Sequence, residues 1–220
     1  NIEVQTGISI KQFVKLLRPI RSGVITINGN ETIAEPETPE SVKEHITDKT
    51  RAVMYVGLGG NMGHYYEIVE ICKEHNLKLI LDAAHMTGTR YKGEIPGHEA
   101  EVVVYSFQAV KNLPTADSGM ICFKDGRLDE IVRKKAWLGI SKDTYARTQN
   151  MGNYKWKYDV EYVGEKGHGN SIMAAIALVQ LKYLDEDNNY RRQIAKWYDE
   201  YFDKSKKHIE RIPITKGCEC

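Results

Sequence analysis

The sequence lacks the features that mark several broad classes of protein. It has no stretch of about 18 or more apolar residues, so it offers no candidate for a transmembrane helix. Lysine and arginine total 31 and aspartate and glutamate total 30, which gives a net charge of +1. This balance provides no overall electrostatic attraction to nucleic acid or to an anionic membrane. The sequence begins at Asn1 and shows no charged and apolar signal region, so we expect a cytoplasmic protein.

Cysteine is scarce and scattered. The four cysteines are Cys72, Cys122, Cys218 and Cys220. Their spacing fits neither a disulfide framework nor a Cys-x-x-Cys zinc pair. Cys218 and Cys220 form a Cys-x-Cys pair, but two thiolates at the end of the sequence make a poor metal site. We therefore expect reduced thiols, as is usual in the cytoplasm, and no metal centre.

Short apolar segments alternate with helical patterns over the first part of the chain. The strand-like segments are Val24–Ile27, Ala52–Val56, Leu77–Leu81, Val102–Tyr105 and Met120–Phe123. Helices are predicted from Pro39 to about Ile46 and from Tyr65 to about Asn76, and a shorter one around Phe13–Leu17. Continuously apolar strands that alternate with helices are typical of a sheet covered on both faces. The sequence therefore predicts an α/β fold with a mostly parallel sheet flanked by helices.

The character of the sequence changes past Asp125. A helix is predicted over residues 127–138, and a loop segment rich in Tyr, Gly and Lys follows over residues 139–169. An apolar helix capped by Asn170 is predicted from Ser171 to Leu184, a charged amphipathic helix from Tyr190 to about Phe202, and a strand start at Ile212–Ile214. We therefore assign residues 1–125 to a large α/β domain. Residues 126–220 would hold an interface loop and helices that lead into a smaller helical or α+β part.

Polar side chains follow two of the predicted strands at the point where each strand ends. Asp82 follows directly on one buried strand, with His85 three residues later. Ser106 ends the next strand and Lys111 follows in the loop. In an α/β sheet, ligands bind beyond the carboxyl ends of the strands. Because Asp82 and Lys111 are about one strand–connection–strand unit apart, we expect the two loops to open onto the same crevice.

An acid, a hydroxyl and a lysine around one crevice suit a pyridoxal phosphate site. That cofactor needs an amine for covalent attachment and a carboxylate beside its pyridine nitrogen. Each residue also has a simpler interpretation when it is taken alone: Asp82 as a turn or capping acid, Lys111 as a solvated charge, and His85 as a hydrogen-bonded structural histidine. Spacing by itself leaves both interpretations open.

The same residues carry a resemblance to a known family. The ordered motifs Asp82-Ala83-Ala84-His85, Ser106-Phe107-x-x-x-Lys111-Asn112-Leu113 and Ser118-Gly119-Met120 resemble sugar aminotransferases of the DegT/DnrJ/StrS type. The resemblance begins near Gly23 and continues through the glycine loop Val56–Gly60, Ala174-Ala175-Ile176, Gln180-Leu181 and Arg191-Arg192 to Tyr198. It implies a pyridoxal phosphate enzyme with the large domain of fold type I and the start of a smaller C-terminal part.

The resemblance also implies a role for each site residue. Lys111 would form the Schiff base with the cofactor, Asp82 would pair with the pyridine nitrogen, and His85 would lie beside the ring. Ser106 would contact the cofactor phosphate. Lys166 would reach the phosphate of the neighbouring subunit's cofactor, which implies a homodimer with composite active sites. Around Lys166 the sequence departs from the family, because Glu165, Gly167 and His168 replace residues that are usually Tyr, Tyr and Arg.

The implied reaction is transamination from an amino donor, usually glutamate, to a nucleotide-linked keto sugar. A sugar dehydratase of the same fold is an alternative, but such relatives carry His in place of the lysine that Lys111 matches. A non-catalytic or regulatory member of the fold is a second alternative. The family's N-terminal Gly-Thr phosphate loop and the end of its small domain have no counterpart here, so the resemblance implies the middle portion of a longer enzyme.

Overall fold

The computed structural model describes residues 23–27, 29–34, 38–140, 160–205, 209 and 211–220. The helix predicted around Phe13–Leu17 lies outside these residues. Within them the strands are β1 (Gly23–Ile27), β2 (Asn30–Ala34), β3 (Thr50–Val56), β4 (Lys78–Asp82), β5 (Arg90–Tyr91), β6 (Val102–Ser106), β7 (Gly119–Phe123) and β8 (Cys218–Glu219). The helices are α1 (Pro39–His45), α2 (Tyr65–Glu74), α3 (Gly126–Ala136), α4 (Ser171–Gln180) and α5 (Leu184–Lys204). This order confirms the predicted α/β class.

The main sheet is mixed, with a parallel centre and antiparallel edges. Its six strands follow the order β1-β2-β3-β4-β6-β7. The pairs β2–β3, β3–β4 and β4–β6 are parallel, whereas β1–β2 and β6–β7 are antiparallel. A separate two-stranded ladder joins β5 to β8 near the end of the chain. The predicted mostly parallel sheet is therefore present, and its parallel strands carry their carboxyl ends to one edge.

The core lies between α2 and one face of the sheet. Ile68 and Cys72 of α2 are buried together with Val53 of β3, and with Leu79 and Leu81 of β4. Side chains at alternating positions of β3, β4 and β6 point to the other face, and there Met54, Ile80, Asp82, Val104 and Ser106 are only half-buried. The sheet therefore has one dry face, and Asp82 lies on the other.

Polar side chains cap the beginnings of two helices. The Thr38 side chain accepts a hydrogen bond from the Ser41 amide at 3.2 Å and begins α1. The Asn170 side chain accepts one from the Met173 amide at 3.0 Å, which confirms Asn170 as the cap of α4. Such side chains satisfy amide groups that the first turn of a helix leaves unpaired.

Three sequence predictions of local structure were wrong. The helix predicted from Ser171 to Leu184 ends at Gln180, and α5 begins at Leu184 rather than Tyr190. The acids Asp185, Glu186 and Asp187 occupy the first turn of α5, where the positive end of the helix dipole favours them. Residues 212–214 form no strand, and the short strand β8 comes later, at Cys218–Glu219. The pairing of β2 with β1 across the turn at Gly29 was not predicted at all.

No helix in the described part of the chain combines the length and apolarity needed to cross a membrane. The same residues contain no group of three potential metal-binding side chains.

Candidate active site

Three loops leave the sheet from its carboxyl edge and carry the predicted site residues. The Val56 position of β3 pairs with Asp82 of β4, and Asp82 pairs with Val104 of β6. Ser106 lies two residues beyond Val104, so its side chain and that of Asp82 point to the same face of the sheet. The Gly57 amide donates a hydrogen bond to the Asp82 carbonyl at 3.1 Å, which joins the first loop to the end of β4. The strand ends that carry Asp82 and Ser106 therefore lie at the same edge of the sheet, and a shared crevice between their loops stays a prediction.

The Asp82 carboxylate is partly held and partly available. Its Oδ1 atom accepts a hydrogen bond from the Ala84 amide at 2.9 Å, which closes a tight turn at the end of β4. Asp82 is half-buried, and its Oδ2 atom has no hydrogen bond or ion pair with the residues that the structure describes. The turn fixes the direction of the carboxylate, and Oδ2 can accept a hydrogen bond from a ligand.

A backbone contact sets the tautomer of His85. The Gly59 amide donates to the His85 Nδ1 atom at 3.3 Å. Because Nδ1 accepts, a neutral imidazole must carry its proton on Nε2. Gly59 adopts a left-handed conformation with φ of 62°, which a side chain would disfavour. The glycine loop after β3 thus orients His85 so that Nε2 is a donor toward the exposed side.

The loop that carries Lys111 is braced as a hairpin-like turn between β6 and β7. The Phe107 amide donates to the Ser118 carbonyl at 2.8 Å, and the Ala109 amide donates to the Ala116 carbonyl at 3.1 Å. The Lys111 amide closes the tip by donating to the Gln108 carbonyl at 2.9 Å. Lys111 is half-buried, and its amine makes no ion pair or hydrogen bond within the described residues.

Ser106 and its neighbour Tyr105 differ in their chemistry. The Ser106 Oγ atom accepts only a long hydrogen bond of 3.5 Å from the Gln108 amide, so the hydroxyl is free to bind another group. Tyr105 points to the opposite face, and burial raises its pKa above the ordinary value. We therefore regard Tyr105 as a packing residue that stays neutral.

Lys166 lies elsewhere in the described chain. Its amine sits 3.5 Å from the centre of the Trp137 ring, and the backbones of the two residues form an isolated bridge. Trp137 directly follows α3, and His168 contacts the same ring edge-on. The structure thus brings Asp82, His85, Ser106 and Lys111 to one edge of the sheet, whereas Lys166 lies beside α3.

A cavity of about 980 Å³ opens between the loops and α4, and it is mostly apolar. Thr87, Phe107 and Leu113 line one side, and Met173 and Ala177 of α4 line the other. The four predicted site residues at the sheet edge do not line it. The cavity therefore adjoins the candidate site and is not the site itself.

The residue that connects the two site loops carries no signal in the sequence. Asn188 of α5 is 5% exposed and hydrogen-bonds both Thr87 and Asn112. In the sequence it belongs to the polar run Asp185–Asn189, which has the composition of a solvent-exposed helix start. Only the packing of α5 against the loops distinguishes it.

Comparisons with known proteins agree with this architecture. The sequence is 34% identical over 162 residues to the dTDP-4-dehydro-2,3,6-trideoxy-D-glucose 4-aminotransferase of Saccharopolyspora spinosa, with 74% of this chain and 42% of that relative covered. Among solved structures, the aminotransferase TlmJ from Streptoalloteichus hindustanus superimposes with a TM-score of 0.72 at 31% identity, covering 84% of this chain and 48% of TlmJ. Spr1654 from Streptococcus pneumoniae, solved in its PMP form, gives 0.72 at 26% identity, with 84% and 52% covered.

The chain spans less than half the length of the curated relative and about half that of the solved ones. The neighbours share the large-domain architecture of fold type I, which confirms the predicted fold. The family model for DegT/DnrJ/EryC1/StrS aminotransferases matches residues 33–216, and aminotransferases of that family use pyridoxal phosphate. That range includes both site loops and the helices that follow, and the chain therefore belongs to the DegT/DnrJ/EryC1/StrS aminotransferase family.

Proposed function

We propose that the complete protein is a pyridoxal phosphate-dependent aminotransferase that moves an amino group from glutamate to a nucleotide-linked keto sugar. One observation carries this proposal. Asp82, His85, Ser106 and Lys111 share the carboxyl edge of adjacent parallel strands, and their polar groups are not engaged with one another. Family membership makes a sugar the expected acceptor class.

The chemistry of these residues fits the cofactor. The free Oδ2 atom of Asp82 suits the protonated nitrogen of a pyridine ring, and the loosely bonded Ser106 hydroxyl suits a phosphate oxygen. Lys111 supplies an amine without a competing partner among the described residues. When bound, pyridoxal phosphate supplies an electron sink for the bond that is broken at the substrate carbon.

The chain's own residues then have separate tasks. Asp82 would stabilise the positive charge on the protonated ring nitrogen. His85 donates from Nε2 toward a ligand oxygen, because the Gly59 amide occupies Nδ1. Lys111 would hold the cofactor through its amine and would serve as the general acid and base that moves a proton at the substrate carbon.

We also propose a homodimer in which Lys166 contacts the cofactor phosphate of the partner subunit. Lys166 packs against Trp137 at the end of α3 and has no described contact with the residues at the strand ends, which supports a role outside its own subunit's site. We further propose that the protein is cytoplasmic. We also propose that the chain divides near residue 125 into a large domain and the beginning of a smaller one.

Borohydride reduction of the complete protein with bound pyridoxal phosphate tests the proposed function. Peptide mass mapping should find the pyridoxyl group on Lys111, and a Lys111→Ala variant should lose it. Asp82→Asn should keep the label but lose most turnover, which mass spectrometry of a panel of nucleotide-linked keto sugars with glutamate would measure. A label confined to other lysines, or unchanged turnover in Asp82→Asn, would contradict the assignment.

A further inference from the structure

The carboxamide of Asn188 connects α5 to both loops of the candidate site. Its Nδ2 atom donates to the Thr87 carbonyl at 3.1 Å, two residues after His85. Its Oδ1 atom accepts from the Asn112 Nδ2 atom at 3.1 Å, next to Lys111. One side chain therefore spans the loop after β4 and the loop after β6.

The orientation of this amide is determined by its partners. The Thr87 carbonyl can only accept, so it must face the Nδ2 atom of Asn188. The Arg191 guanidinium can only donate, and it lies 3.3 Å from Oδ1. Asn112 must consequently present its own NH₂ group to Oδ1. Reversal of either amide would place like groups together, so these partners fix the orientation of both amides.

The surrounding chain is built to admit this side chain. Asn188 is 5% exposed, so its polar atoms depend on these protein partners. Gly88 adopts a φ of +87°, and a Cβ atom there would lie 2.2 Å from Asn188 Nδ2. Any other residue at position 88 would push the amide away from Thr87. The glycine and the asparagine thus form one arrangement, in which the loop passes close to α5.

We propose that Asn188 is a positioning residue that holds the His85 loop and the Lys111 loop at the separation required to bind pyridoxal phosphate. The proposal rests on the proposed function, because it concerns the same site. Asn188 acts through Thr87 and Asn112 and is not itself a catalytic residue. Loss of the bridge leaves each loop with its own turn hydrogen bonds but removes the link between them.

Two variants of the complete protein break the bridge in different ways. Asn188→Leu removes the hydrogen bonds to Thr87 and Asn112, and also the one from Arg191, with little change of volume. Asn112→Ala removes only the bond on the Lys111 side. Asn189→Leu is the matched control, since Asn189 is exposed on the same helix and its side chain bonds only Arg192. All are assayed well below the melting temperature of the least stable variant.

The first measurement is the dissociation constant of pyridoxal phosphate, determined from the change in cofactor absorbance on binding. We expect Asn188→Leu to raise it about tenfold, the equivalent of one to two hydrogen bonds. Asn112→Ala should also raise it, the double variant should be no worse than Asn188→Leu, and Asn189→Leu should match the wild type. A merely structural role would lower the melting temperature and leave the dissociation constant of the folded protein unchanged.

The second measurement is hydrogen exchange of the cofactor-free protein. In Asn188→Leu, the amides of residues 83–89 and those of residues 107–118 should both exchange faster than in the wild type. In Asn189→Leu, both segments should exchange at the wild-type rate. Unchanged cofactor affinity in Asn188→Leu, or an equal loss of affinity in the Asn189→Leu control, would overturn the proposal. Lys111 labelling of the wild type would still support the proposed function in that case. If Asn188→Leu does not fold, unchanged affinity in Asn112→Ala overturns the positioning proposal. Failure of the wild type to label at Lys111 would overturn both.

Discussion

Replacement of Gly60 by alanine should destabilise the protein more than the same replacement at Gly59. The two glycines are adjacent in the loop after β3, and both have positive φ, +62° for Gly59 and +80° for Gly60. They differ in their surroundings. A Cβ atom at Gly59 would meet nothing within 4 Å, whereas one at Gly60 would lie 2.7 Å from Thr89 Oγ1 and 3.2 Å from the His85 carbonyl.

The expected magnitudes follow from these surroundings. A left-handed conformation costs an alanine about 1–2 kcal/mol, and the stiffer unfolded chain recovers part of this, so Gly59→Ala should cost about 1 kcal/mol. Gly60→Ala adds an overpacking cost of about 1–3 kcal/mol. It also disturbs the buried hydrogen bond of 3.2 Å from Thr89 Oγ1 to the Gly60 carbonyl. We therefore expect a total loss of about 3 kcal/mol at Gly60.

Equilibrium urea unfolding of the two variants and the wild type measures the difference in the free energy of unfolding. A further variant, Thr89→Ala, removes the nearest obstructing atom, so Gly60→Ala should cost less in that background. Equal losses at Gly59 and Gly60, to within about 0.5 kcal/mol, would refute the packing argument and leave backbone conformation as the sole cause.

Two further predictions concern thiol reactivity and the dimer. Burial raises the pKa of the Cys72 thiol from 9.0 to about 11, so its thiolate fraction at pH 8 is roughly 100-fold lower than that of an ordinary thiol. Iodoacetamide should therefore alkylate the exposed Cys122 far faster than Cys72. Similar alkylation rates for the two thiols in the folded protein would contradict this. If Lys166 acts in the partner's site, mixing Lys111→Ala subunits with Lys166→Ala subunits should restore activity that each lacks alone. Continued inactivity after demonstrated subunit exchange would remove Lys166 from the site.

The sequence by itself determined the class of fold and the edge of the sheet where the site residues lie. Buried parallel strands leave continuous apolar runs, and these runs marked β3, β4 and β6 closely. Asp82 and Ser106 end two of those strands. Because neighbouring parallel strands end at the same edge, their positions in the sequence were enough to predict that they would share it.

Local rules were less informative where two structures compete for the same residues. The apolar pattern that begins at Ser171 continues past Gln180, so periodicity alone extended the helix to Leu184. The break at residues 181–183 and the start of α5 depend on how Leu184 and Asn188 pack against the loops, since both are buried. Such contacts join residues about a hundred positions apart, and no local pattern encodes them.

The tertiary structure alone decided how the site loops are held. Gly59 orients His85 through a backbone hydrogen bond, and Asn188 bridges Thr87 and Asn112. In the sequence Asn188 is one polar residue in an acidic helix start, and Gly88 is one glycine in a loop. Their joint role exists only after folding, because burial turns an ordinary amide into a group that must find three partners in fixed directions.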